Sequence, residues 1–267
     1  MNHRLTLEFS NGLKAGWNQL VKINFHEGFE SLEAAANVIE YAMRDGGYIA
    51  SIRATTRRLT LDLSLHGEYA WADLAKLFPL KVPLGLLATR DGRTRRLTVY
   101  RDGKIIPLGG RGATDVVQCQ VSFLATSPYM LGEEVELAAA GVLSGGLEYP
   151  ISYPITLDNL SYVDHIDVRN DGDYPAGFTF DLVAAAEIAA MSLGVGRDTM
   201  TFKAIHAGQR LTVDTAMQTI RIDGTTNGFA WLDSGSFLKI PIGESSIWFG
   251  AFSGSATVEF TPIYEGV

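Results

Sequence analysis

Leu59, Leu61, Leu63 and Leu65 alternate without a break with Thr60, Asp62 and Ser64. Side chains on a strand point to opposite faces in turn, so this pattern fits a strand with one buried face and does not fit a helix. The same period recurs in Val117, Cys119, Val121 and Phe123, and in Leu5, Leu7 and Phe9. Between such stretches stand Asn11–Gly12, Asp91–Gly92, Asp102–Gly103 and Asp223–Gly224. These pairs readily adopt the positive φ angles that tight hairpin loops require. A chain built this way is mainly β with minor α.

Its 267 residues are enough for two domains, and the charge divides them. Residues 1–132 carry 16 basic and 12 acidic side chains, whereas residues 133–267 carry 6 and 18. The change coincides with Glu133, Glu134 and Glu136 and a small-residue stretch through Gly146. The expected partition is a domain over 1–132, a linker over 133–149 and a second domain over 150–267.

The first domain reads as strand with two helical inserts. Leu32, Ala35, Ala36, Ile39 and Met43 share one face of a helix over residues 31–46, which Ser31 caps and Gly46 ends. A shorter helix is expected over 69–78, stopped by Pro79. Strands over 84–89, 95–101 and 104–108 form a meander through Asp91–Gly92 and Asp102–Gly103, followed by a strand over 116–125. The second domain reads as short strands at 155–157, 162–168, 178–186, 199–205, 210–214, 219–222, 236–240, 246–252 and 256–262. Their close, even spacing indicates an antiparallel β-sandwich of jelly-roll type.

Chemistry-bearing motifs fail one after another. His26-Glu27-Gly28-Phe29-Glu30 lacks the second His that a zinc-protease helix needs. Asp164, His165, Asp167, Asp171 and Asp173 lack the twelfth-position Glu and flanking helices of a calcium loop, and read as turn residues and a solvated strand face. The glycines at 109, 110 and 112 and at 194 and 196 lack the endings and the strand-then-helix setting of phosphate loops. No Gly-x-Ser-x-Gly elbow is present, and the five His residues stand far apart. One cysteine, Cys119, excludes an intramolecular disulfide framework and reads as a buried small hydrophobe. Residues 138–143 and 182–191 are the longest apolar stretches, the second broken by Glu187, and neither nears the ~20 residues of a spanning helix. The start of the chain alternates where a signal peptide would be continuously apolar. The reading is an intracellularly made protein with no membrane insertion, catalytic residue, cofactor or metal.

The strongest charge feature is the run Arg90, Arg93, Arg95, Arg96, Arg101, Lys104 and Arg111. In a nucleic-acid binder it would contact phosphates, but the chain is acidic, with net charge -8, and has no reading module. A solvated or subunit-facing hairpin fits better, with Arg93, Arg95, Arg96, Tyr100 and Arg101 as the candidate interface. Alternation sends Leu97 and Val99 to one side and Arg96, Thr98 and Tyr100 to the other.

The order of these pieces resembles a known series. Residues 58–67, the helix at 69–78, the Asp–Gly hairpin of 95–108 and Val121-Ser-Phe-Leu-Ala-Thr-Ser-Pro-Tyr129 are similar to the N-terminal domain of the distal tail proteins of long-tailed, non-contractile bacteriophages. Residues 208–214, 219–224, 236–243 and the final strand over 255–264 are similar to that family's C-terminal domain. The resemblance covers roughly residues 48–130 and 150–267; the family's usual Pro-Gly before the penultimate strand stands here as Ile242-Gly243. It implies a hexameric ring that joins the tail tube to the tail tip or baseplate, with a ring-forming first domain and a galectin-like or jelly-roll second one. The implied partners are further copies of the chain, the tail tube protein and tail-tip or baseplate proteins. The implied place is the virion tail, after synthesis in the host cytoplasm. A rival reading is a carbohydrate-binding sandwich, with a host-surface glycan as partner and Tyr162, Tyr174, Phe229, Trp231 and Trp248 available to stack on sugar rings. A third, a hydrolase with a triad assembled from distant residues, has no motif behind it.

Overall fold

The computed structural model describes residues 4–66, 71–108, 116–141, 164–250 and 254–267. It falls into two compact units, Met1–Glu133 together with Ile263–Val267, and Glu134–Pro262. The second unit is thus inserted ahead of the last five residues of the first.

The first unit contains β1 (Thr6–Phe9), β2 (Lys14–Ala15), β3 (Val21–Glu27), β4 (Ala34–Glu40), β5 (Gly47–Ala54) and β6 (Arg58–His66). A 3-10 turn (Trp71–Asp73) leads into α1 (Leu74–Leu77), then β7 (Leu84–Arg90), β8 (Arg93–Pro107), β9 (Val116–Ala125) and β10 (Met130–Leu131). Strands β8, β7, β1, β2, β3, β6 and β9 lie side by side in that order, and β9 also pairs with β8. The sheet therefore closes into a barrel, which removes the free edges an open sheet would expose. Leu59, Leu61, Leu63 and Leu65 all point inward and are fully buried, beside Leu7, Val21, Val99, Val121 and Phe123. Phe78, just after α1, meets Phe9 and Phe123 with ring centroids 5.7 and 5.8 Å apart. The interior is thus filled by side chains and is not a channel.

The second unit contains β11 (Val135–Gly141), β12 (His165–Asn170), β13 (Phe178–Ala184), β14 (Met191–Val195), β15 (Asp198–Phe202), β16 (Arg210–Asp214), β17 (Thr219–Ile222), β18 (Thr226–Asn227), β19 (Leu232–Ser234), β20 (Gly243–Trp248) and β21 (Gly254–Phe260). They form two antiparallel sheets, ordered β11-β21-β13-β16-β17-β18 and β12-β20-β14-β15-β19. Phe180 of the first sheet and Phe249, just past β20 of the second, lie 5.9 Å apart in the shared core. This is the packing of a β-sandwich. Buried Asn170 donates to the Tyr174 carbonyl at 3.0 Å and accepts from the Gly172 N–H at 3.0 Å, which shapes the expected Asn170-Asp171-Gly172 turn. No described helix is long and apolar enough to cross a membrane.

Several elements differ from the sequence reading. The helix expected over 31–46 is absent: β4 and β5 form an antiparallel hairpin there, with Ile39 opposite Tyr48 and Glu40 opposite Gly47. The helical spacing of Leu32, Ala35, Ala36, Ile39 and Met43 presumes a face against a core, but neither strand of this hairpin buries a side chain. β-Branched Val38, Ile39, Ile49 and Ile52 suit the extended backbone better. Asp102–Gly103 does not reverse the chain. β8 runs through it with a register shift between Asp102 and Ile106, because β9 is long enough to pair with β8 on both sides. Residues 135–141, read as linker, are strand, paired with β21 from Val135–Phe260 to Gly141–Gly254. Of the 69–78 helix, the described part is the 3-10 turn and the four residues of α1. Strand β14 was not expected, and 236–240 contributes only an isolated bridge between Ala176 and Ile240. The readings at 109–112, 142–149 and 155–157 lie outside the described residues.

Candidate assembly surface

The basic run lies on β8, and its alternation sorts the candidate residues. Leu97 and Val99 are buried in the barrel, and Arg95 and Arg101 share their side of the strand and are partly buried. Each of these two is engaged within the unit. Arg95 places its guanidinium carbon 3.4 Å from the Tyr264 ring centroid, and Arg101 donates from Nη1 to the Phe78 carbonyl at 2.9 Å. Arg93 is exposed beside the Asp91–Gly92 turn, whose φ angles of 52° and 77° make the tight loop expected there. Arg96 and Tyr100 are the two that face outward, as alternation requires.

Around Arg96 the outer barrel surface forms a shallow groove of about 530 Å³, lined among others by Glu8, Leu87, Thr98 and Leu131. Arg96 stands opposite Leu87 on one side and Leu131 on the other. Leu87 is exposed, so the groove combines apolar area with a cation.

The β4–β5 hairpin is a second unusual surface. Val38, Ile39, Tyr41, Met43, Tyr48, Ile49 and Ile52 are all exposed, Ile52 by 64%. Tyr41 and Tyr48 lie 6.2 Å apart, and Arg44 covers the Tyr41 ring at 3.8 Å. Isolated two-stranded hairpins are marginal in water, and contiguous exposed apolar surface marks an interaction site. Sequence reasoning missed this arm because it assigned residues 31–46, which include β4, to a helix and gave β5 no element; the β-branched and aromatic side chains in 48–52 were the available signal.

Other sequence candidates resolve into structural roles. His26 and Glu30 of the zinc-like motif lie 3.2 Å apart, and Arg90 donates to Glu30 at 2.9 Å. Burial works against ionisation of Glu30, but the Arg90 hydrogen bond and the nearby His26 and Arg90 charges hold its carboxyl below the usual range. Cys119 is fully buried, and loss of hydration, helped by the Asp62 charge, pushes its thiol up to about 11. Among the described residues, no group of three or more His, Cys, Asp or Glu side chains is placed to hold a metal ion.

No protein-family profile matches the chain, and no curated protein matches it. Solved structures do. The SPP1 Dit protein, described as a paradigm of the hub adsorption apparatus in phages that infect Gram-positive bacteria, matches with a TM-score of 0.67 and 12% identity, over 97% of this chain and 98% of its own. A structure of the phage P2 baseplate in its activated conformation contains a chain that matches over all of both, with a TM-score of 0.50 and 14% identity. From the barrel through the inserted sandwich to the returning C-terminal strand, this chain has the fold of phage hub and baseplate proteins.

Proposed function

We propose that the protein is a structural component of a phage tail, the hub ring that joins the tail tube to the tail tip or baseplate. The observation that carries this reading is the end-to-end likeness to SPP1 Dit, which spans both units and not the common sandwich alone. The exposed β4–β5 arm supports it, since seven large apolar side chains left in water call for a partner. A hexameric ring supplies one: in a closed ring each copy presents one surface to a different surface of the next. Arg96 and Tyr100, on the outward side of β8, are proposed interface residues toward an acidic neighbour, and Arg93, Arg95 and Arg101 border them. The role requires no catalytic residue and no cofactor.

The test is the composition of intact tails. Six copies per tail, with ring-shaped particles by negative stain, are expected. Absence from the virion, or a copy number that is not a multiple of three, overturns the reading. Arg96→Glu separates assembly from folding. Exposed charges contribute only ~0–1 kcal/mol each, so melting should be unchanged, while incorporation should fall because the repulsion recurs at every copy of the interface.

A further inference from the structure

On β12, Ile166 and Val168 point into the sandwich core, as does Ile247 on β20. The register pairs His165 with Trp248, Asp167 with Ser246 and Arg169 with Glu244 across the two strands, all on the outer face. The His165 and Trp248 rings lie 4.8 Å apart at 34°, and the indole remains 47% exposed. Asp167 accepts from the Ser246 hydroxyl at 2.6 Å. Beside them Asp167, Arg169, Glu244, Ser245 and Ser246 line an open groove of about 450 Å³. On the other side of Trp248 stands Gly194 of β14, which has no side chain to crowd the indole.

We propose that this outer face of β12 and β20 is a saccharide-binding site, with Trp248 as the platform for a neutral pyranose and Asp167, Glu244 and Ser246 as its hydroxyl partners. A pyranose has an apolar C–H face and a rim of hydroxyls. It needs a flat apolar surface next to a few oriented hydrogen-bonding groups, and an ionised carboxylate accepts from two vicinal hydroxyls at once. An exposed indole beside a carboxylate-lined groove supplies both. The charges favour a neutral sugar over an acidic one: Asp164, Asp167 and Glu244 oppose His165 and Arg169, and Arg169 is already held by Asp171 at 2.7 Å. His165 is steadied for this role by Asp164, whose carboxylate lies 2.6 Å from Nδ1. That hydrogen bond, with the charges of Asp167 and Asp164, raises the histidine above its ordinary range, which favours the imidazolium form beside the indole. The inference is independent of the hub reading, because a tail ring could be built with this face bare.

The experiment uses the purified full chain with methyl glycosides of glucose, galactose, mannose and N-acetylglucosamine, and their short oligomers, at millimolar concentration. Binding is read by saturation-transfer NMR and by tryptophan fluorescence. At least one sugar should bind the wild type. Trp248→Ala should weaken that binding at least about tenfold, and Asp167→Asn several-fold. Phe229→Ala, which removes another exposed aromatic on the turn before β19, should leave it unchanged. Circular dichroism of Trp248→Ala should match the wild type, since the indole is outside the core. If no sugar of the panel binds the wild type, or if Trp248→Ala binds as well as the wild type, the proposal is overturned, and the hub reading stands or falls on tail composition alone.

Discussion

The guanidinium of Arg57 donates from Nη1 to the carbonyl of Gly28 at 2.7 Å, at a point where the Gly28 backbone has φ +87°. The same group donates from Nε to the Pro128 carbonyl at 2.7 Å and from Nη2 to the Glu265 carbonyl. Arg57 is only 4% exposed. A buried cation is tolerated when its donors are satisfied, and the planar fork of arginine suits three acceptors in fixed directions. Three segments far apart in sequence, the turn after β3, the approach to β10 and the chain end, are therefore tied to one side chain. Gly28 itself cannot be exchanged freely: a Cβ there would lie 2.1 Å from the Arg58 carbonyl oxygen.

Arg57→Met should lower the stability of the first unit by roughly 3 kcal/mol, because it leaves buried carbonyls without donors. Denaturant unfolding followed by a probe in each unit checks this. The transition of the first unit moves, and that of the second does not.

Removal of residues 263–267 should destabilise the same unit by about 2–4 kcal/mol. The deletion loses the pairing of Ile263 and Tyr264 with β10, the Val267 N–H bond to the Phe29 carbonyl at 3.1 Å, and the Tyr264 ring under Arg95. Differential scanning calorimetry of the shortened chain should show one transition lowered and one kept.

Cys119 should resist thiol reagents at pH 8 in the native protein and react fully in denaturant. Its thiol stands at about 11 in the folded chain against 9.0 for the reference group. Between those values the unfolded chain gives up the proton and the folded chain keeps it. The stabilisation from the buried neutral thiol is therefore complete below pH 9 and is lost as the pH rises toward 11. Cys119→Ala should flatten that part of the pH–stability curve.

His165 should titrate by NMR above the ordinary histidine range, and Asp164→Asn should bring it back down. Its pKa is raised on folding, so the contribution is present at low pH and lost as the pH rises through the folded value. Trp248 emission should increase over the same pH interval, as the imidazolium next to the indole loses its charge.

The candidate surfaces were only partly legible in the sequence. The outward direction of Arg96 and Tyr100 follows from alternation with buried Leu97 and Val99, and the structure has it so. That Arg95 and Arg101 are spent inside the unit does not follow, since their partners Tyr264 and Phe78 come from other segments. Trp248 was one of five aromatics that fit a sugar platform. Of the others, Phe229 and Trp231 sit on a 3-10 turn, Tyr174 is partly buried, and Tyr162 is outside the described residues. The pairing of β12 with β20 sets Trp248 against His165, 83 positions away in the chain.

What the sequence determined by itself is what acts over a few residues. Side-chain alternation sets which face of β6, β8 and β9 is buried, and the φ preferences of Asp91–Gly92 set the hairpin between β7 and β8. What only the tertiary structure decided depends on a partner elsewhere in the chain. The length of β9 turned Asp102–Gly103 from a hairpin loop into an irregularity within β8. β4 and β5 pair with each other and leave no core for a helical face, so residues with helical spacing became an extended arm. The closure of β8 on β9 and the return of Ile263–Tyr264 to β10 join segments whose separation in sequence no local pattern records. Backbone hydrogen bonds have the same chemistry at every position, so only the assembled barrel settles which strands share them.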